Sequence, residues 1–228
     1  MYIQPIANSG QPTGRWFRPV RVWLPTWRLL VPAVVLMSSL IFWVGHSLHG
    51  FLSVSQPVAA NVLVVEGWSP DYALEWAVQE FDRGRYDLLV AAGGPMERGS
   101  LVSGFATYAE IAEATLSRLG VDPARLGTAP SEAAIRNRTF ASARGVRELL
   151  DGQGLEVHGL NLVTLGPHAR RSWVVYRKAL GDRCAVGILA VPPRDYDPAR
   201  WWASSAGVKS TIVEALGWAY ESLFDSGR

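Results

Sequence analysis

The stretch LNLVTLGPHARRS (residues 160–172) decides how this chain is read. Its first six residues are almost wholly apolar, as a strand buried on both faces of a sheet requires. Gly166-Pro167 then ends the run: the glycine permits a tight turn, and proline suits the first turn of a helix. A helical pattern follows from His168 to Leu180, and AVGILAV (185–191) is a further apolar run. Strand, turn, helix and strand in that order form the unit from which parallel sheets are built.

The same alternation extends upstream. NVLVV (61–65) is a continuous apolar run, and Pro70-Asp71 open a helix through about Arg83 that Gly84 closes. Tyr72, Trp76 and Phe81 are among its apolar positions. DLLVAA (87–92) reads as a second buried strand ending at Gly93-Gly94. A helix is expected from Phe105 to Leu119, stopped by Gly120, and VDPARL leads into a short edge strand at 126–128. Ala133 to Leu150 reads as a helix ended by DGQG. The last helix, Ser204 to Phe224, places Val208, Ile212, Leu216 and Leu223 near one face. Neither an internal repeat nor a low-complexity tract interrupts the pattern. Residues 61–228 are therefore expected to form an α/β three-layer sandwich with a mostly parallel, Rossmann-like sheet.

Upstream of the sheet, LLVPAVVLMSSLIFWVG (29–45) carries no charge. With modest extension at either end it reaches the roughly 20 residues that cross a bilayer. Trp16, Trp23, Trp27 and Trp43 suit an interfacial belt. Arg15, Arg18, Arg21 and Arg28 precede the segment, and no basic residue follows until Arg83. By the positive-inside rule this places residues 1–28 in the cytoplasm, with 29–52 as a single-pass inner-membrane anchor and its interfacial end. Residues 53–60 read as a linker, and the α/β domain lies in the periplasm or outside the cell. A signal peptide cleaved near VAA (58–60) is the rival reading, but that site lies well beyond the apolar run.

Composition narrows the function classes. The 228 residues are 49% apolar and 18% charged, with mean hydropathy +0.10. Four of the 22 basic residues lie within 1–60, where there is no acid, so the body carries a net charge of −2. Such a body is no general nucleic-acid binder. The single Cys184 excludes an intramolecular disulfide and a multi-cysteine metal site, and reads as a small buried hydrophobe. His46 and His49 read as interfacial residues, without acidic or cysteine partners nearby. No nucleophile elbow, zinc motif or Walker sequence is present, so no metal is expected and no cofactor is indicated.

Ligands of open parallel sheets bind beyond the carboxyl ends of the strands. Four segments emerge there: Glu66-Gly67-Trp68, Gly93-Gly94 with Glu97 and Arg98, Gly166 to Arg171, and PPRDYDPARWW (192–202). The helix beginning at His168 offers unpaired N–H groups to an anion. Arginines in a first helical turn oppose its dipole by up to about 1 kcal/mol each, which makes sense if an anion visits. His168 and Arg171 share a face, whereas Arg170 points elsewhere and is expected to be solvated. The alternative is a structural salt bridge from Arg171 to Glu66 or Glu97. Glu66 is a candidate base opposite His168, or equally a helix cap or partner of Arg171. Gly93-Gly94 lacks a P-loop lysine and the third glycine of a dinucleotide fingerprint, so a tight turn competes with phosphate binding. Of Trp201-Trp202, one is expected in the core, while the other is free to stack on a ligand or rest on the membrane. Arg136, Arg138, Arg144 and Arg147 dot a helix as a mostly solvated face; Arg136 and Thr139, near its start, are candidate ligand contacts.

In sequence order these segments are similar to the ElyC/SanA/YdcF-like envelope proteins over roughly Asn61 to Pro193. The resemblance rests on VVEGW (64–68), YDLLVAAGG (86–94), an acidic helix with Tyr108 and Glu110, LGVDPARL (119–126), SEAAIRNRTFASA (131–143) and VTLGPHARRS (163–172). The last resembles the family's Thr-Ser-x-x-His-x-x-Arg signature, with Thr164, His168 and Arg171 at the pattern positions. It implies a Rossmann-like domain, often tethered to the inner membrane and facing outward. It also implies a part in envelope or peptidoglycan-precursor homeostasis, with a phosphorylated or lipid-linked small molecule as ligand and envelope proteins as partners. Departures are a first turn with one glycine between Glu66 and Trp68, Leu165 in place of the signature serine, and Thr139-Phe140-Ala141-Ser142 where the family has Thr-x-x-Asn.

The expectation is a membrane-anchored protein that binds and processes such a precursor. Glu66 or His168 would move a proton, while Arg171, Thr164, Gly67 and Gly93-Gly94 hold the ligand. The alternatives are a non-catalytic sensing module with the same pocket and a nucleotide-cofactor enzyme such as a methyltransferase.

Overall fold

A computed structural model describes residues 26–181 and 183–224; the calls on Arg15, Trp16, Arg18, Arg21 and Trp23 lie outside the described residues. The chain divides into two units, residues 1–42 and 43–228. The apolar segment forms helix α1 (Trp27–Leu52), long and apolar enough to cross a membrane. Its last residues, from Trp43, belong to the α/β unit, where Leu52 is fully buried.

Five parallel strands form the sheet: β1 (Val62–Glu66), β2 (Leu88–Gly93), β3 (Leu126–Pro130), β4 (Gly159–Leu165) and β5 (Ala185–Val191), in the order β3-β2-β1-β4-β5. The expected α/β class is thus observed, and every strand of the sheet is parallel. The apolar runs are continuous because both faces are covered. On one face Val62, Val64, Val90, Leu160, Leu162 and Ile188 pack against α5 (Arg138–Gln153) and α6 (His168–Leu180). On the other, Leu63, Val65, Leu89, Ala91, Val163 and Leu189 meet α2 (Asp71–Arg83) and α4 (Tyr108–Arg118). A short helix α3 (Ser100–Ser103) precedes α4, and α7 (Ser205–Phe224) ends the described chain.

Two helix starts differ from expectation, each for a local reason. The helix expected from Phe105 begins at Tyr108, because Thr107 caps it and Glu110 closes a reciprocal capping box. The helix expected from Ala133 begins only at Arg138: residues 131–137 are loop, and Asn137 adopts a left-handed backbone with φ 57°. The edge strand reaches Pro130 rather than residue 128. Residues 53–60 are stitched to the sheet: Gln56 bridges Ile188, and Asn161 Oδ1 accepts from the Val58 N–H at 2.9 Å. Cys184 is half-buried against the core, and burial raises its thiol pKa.

The strand order places the reversal of direction between β1 and β4. Consecutive connections leave β1 toward β2 and β3, then return to β4 and β5. A crevice opens beyond the carboxyl ends at such a switch point, and the functional candidates gather there.

Candidate functional site

Glu66 is the last residue of β1, and the register pairing Val65 with Val163 sets it beside Thr164 on β4. Its carboxylate is buried at 2% exposure and accepts hydrogen bonds from Thr164 Oγ1 and from Ser172 Oγ at 3.0 Å. Gly166, at φ 44°, turns the chain from β4 into α6, so that His168 opens the helix over the same carboxylate. His168 Nε2 lies 3.4 Å from Glu66 Oε2 without a directed hydrogen bond, and Nδ1 lies 2.9 Å from Glu214 Oε1. Arg171, one turn on, places Nε 2.8 Å from Glu214 Oε2 and Nη2 3.1 Å from Oε1. The ring edge of Trp68 closes over His168 at a centroid distance of 5.0 Å.

The charges follow from this geometry. Burial opposes the imidazolium, but Glu66 and the hydrogen bond to Glu214 outweigh it and raise the His168 pKa to about 9. Burial alone would raise the pKa of Glu66. The adjacent His168 cation and the two hydroxyl donors pull it below its ordinary value. Glu214 is likewise buried, yet its bonds to His168 and Arg171 bring it to about 2. At neutral pH His168 therefore carries both ring protons, and Nδ1 is a donor. The Arg171 Nη2 contact with Nδ1 at 3.0 Å is then not a hydrogen bond; both groups donate to Glu214.

These side chains form the base of a cleft of about 1000 Å³. Its walls include Trp68, Gly93, Gly94, Tyr108, the 131–135 loop and the start of α5. Glu66, Gly93, Gly94, Glu97, Thr139, His168 and Arg171, all expected at the site, line it together. Thr164 lies beneath the lining, bound to Glu66. Glu97 is exposed and pairs across the mouth with Arg138, not with Arg171.

Several expectations are corrected. The salt bridge considered for Arg171 exists, but its partner is Glu214 on α7. Arg98 and Arg136 are exposed and do not line the cleft; the late start of α5 leaves Arg136 on the loop. Trp201 is the buried tryptophan, at 6% exposure, with its indole N–H donating to Gly45 O at 2.9 Å; it lies away from the cleft. Arg170 points away from the cleft, as expected, but is only partly exposed: its guanidinium lies over the Phe51 ring at 3.8 Å. His49 is buried, with Nε2 3.0 Å from the Tyr196 hydroxyl. Gly67 does not line the cleft. A Cβ there would meet Tyr108 O at 2.3 Å, so the glycine serves the close approach of α4. The same approach explains Gly93, where a Cβ would lie 2.8 Å from Tyr108 Cβ.

Glu214 is the functional candidate that sequence reasoning missed. Its one signal is an acid within the otherwise uncharged stretch STIVEALGWAY (210–220). Among the described residues no group of histidine, cysteine or carboxylate side chains has the arrangement of a metal site. Compared with protein-family models, curated proteins and solved structures, the chain matches none.

Proposed function

We propose that the chain is a membrane-anchored cell-envelope protein whose cleft binds and processes a phosphorylated or lipid-linked precursor of peptidoglycan or polysaccharide. One observation carries this reading: the His168 imidazole and the Arg171 guanidinium are held side by side, 3.0 Å apart, at the base of a switch-point cleft. Arg171 Nη1 lies 3.4 Å from Thr139 Oγ1 on the wall, and 24% of the side chain is accessible. A phosphate there gains the guanidinium, a hydroxyl and the nearby imidazolium. Ile135, wholly exposed on the lining, suits an amphiphilic ligand. In turnover His168, which lines the cleft between two carboxylates, is the group that would move the proton. Glu66, buried and already accepting from Thr164 and Ser172, positions it rather than acting as a base.

Glu214 sits where a ligand anion would pair with Arg171 and acts as an internal competitor. In detergent-solubilised full-length chain, a water-soluble alkyl phosphate should bind roughly tenfold to a hundredfold more weakly to Arg171→Ala, the loss of a charged hydrogen bond. Glu214→Gln should bind it more tightly, because the guanidinium is released. Calorimetric titration checks both signs, and unchanged affinity in Arg171→Ala removes the anion site.

Orientation follows from the four upstream arginines: N-terminus cytoplasmic, α/β unit outside the inner membrane. A phosphatase reporter fused after Arg228 should be active and a cytoplasmic reporter silent; the reverse pattern refutes the envelope assignment. A non-catalytic sensing role draws on a separate observation, that His168, Arg171 and Glu66 are already engaged with protein partners. Such a module binds the phosphate without forming product.

A further inference from the structure

Helix α7 is built inside out. Gly207, Thr211, Glu214 and Glu221 face inward, with Gly207, Thr211 and Glu221 buried. The face that carries Val208, Ile212, Leu216, Tyr220 and Leu223 is exposed, with Leu216 at 67% and Leu223 at 76%. A water-facing helix shows the opposite distribution, and a contiguous apolar patch of this kind marks an interaction surface.

We infer that this outer face of α7 lies on the lipid bilayer as a second membrane contact, beyond the anchor. Three observations favour lipid over another partner. First, α7 packs on the part of α1 belonging to the α/β unit: Phe51 and Trp218 meet edge to face at 4.9 Å, and the chain enters this unit from an apolar segment at Trp43. A domain tethered there is held at the membrane surface. Second, both acids of α7, Glu214 and Glu221, turn inward to Arg171 and Lys178, while Lys209 lies on the outside. An anionic surface meets no like charge there. Third, Trp43, Trp202 and Tyr220 are exposed in the same unit, and amphipathic rings of this kind favour the headgroup level. The inward face of α7 supplies Glu214 to the cleft, so the site lies within about one helix diameter, roughly 10 Å, of the lipid.

The test uses the full-length chain reconstituted in vesicles of phosphatidylethanolamine and phosphatidylglycerol, in a Cys184→Ser background. An environment-sensitive fluorophore is placed at Leu216→Cys, at Leu223→Cys or, for comparison, at Glu148→Cys on α5. Emission from 216 and 223 should shift to the blue, and spin-labelled phospholipid should quench it several-fold more than emission from 148. Equal quenching at all three sites in chain that floats with the vesicles overturns the proposal. So does shielding at 216 that grows with protein-to-lipid ratio, which assigns the face to a second copy. Chain that fails to float overturns the anchor and this proposal together. The alkyl phosphate titration is done in detergent and stands or falls separately.

Discussion

Glu66→Ala is expected to destabilise the folded chain by about 3–5 kcal/mol, the usual consequence of stripping one partner from a buried ion pair. The carboxylate is 2% exposed and serves three groups at once: Thr164, Ser172 and the His168 cation. Alanine leaves two buried hydroxyls without their acceptor and an imidazolium with one carboxylate instead of two. For a chain of this size that corresponds to a fall in Tm of roughly 6–20 °C, read by thermal denaturation in detergent. Glu66→Gln keeps an acceptor for the hydroxyls and should cost less, while letting the His168 pKa fall from about 9 toward 6.5. Histidine NMR resonances report that shift directly. A Glu66→Ala chain as stable as the parent would mean that the carboxylate does not hold this site together.

The second large effect is a dependence of stability on pH centred on His168. Its pKa is 6.5 when unfolded and about 9 when folded. The stabilisation is therefore complete below pH 6.5 and is lost as pH rises through about 9, a difference of roughly 3 kcal/mol. Glu214 runs the other way. Its folded pKa of about 2 lies below the ordinary 4.5, so its contribution is full above pH 4.5 and lost as pH falls through 2. Glu66, also lowered, adds to the acid limb. Stability should peak between these limits, and Tm should drop by roughly 6–12 °C between pH 6.5 and 9.5. His168→Gln cannot titrate, so its Tm should start lower at pH 6 and decline little on the alkaline side. A variant that follows the parent's alkaline decline would locate the effect elsewhere.

How far the site was legible depends on how each residue reaches it. Glu66, Gly93 and the His168–Arg171 pair stand next to strand ends, and in a parallel sheet every such end emerges on one edge. Their convergence could thus be read from the order of apolar runs alone. Trp201, read from the loop after the last strand, and Arg136, read from the start of a helix, do not line the cleft, because a loop residue's direction depends on what the rest of the chain leaves uncovered. Trp201 found the Gly45 carbonyl, and the left-handed Asn137 delayed the helix that would have presented Arg136. Glu214 could not be found this way at all: it lies 23 residues beyond the end of the last strand (214 − 191), well inside α7, and reaches the site only through the docking of that helix.

Local pattern by itself determined the α/β class, the five strands of the sheet, the apolar α1 and the edge where the chemistry gathers. These depend on short-range periodicity and on the handedness of strand–helix–strand units, which any stretch of chain expresses without knowledge of its partners. Tertiary structure alone decided that Arg171 answers to Glu214, that His168 is cationic, and that α7 turns its acids inward and its leucines out. Those are properties of pairs distant in sequence, and electrostatic energy depends on separation and burial, which only the folded chain assigns.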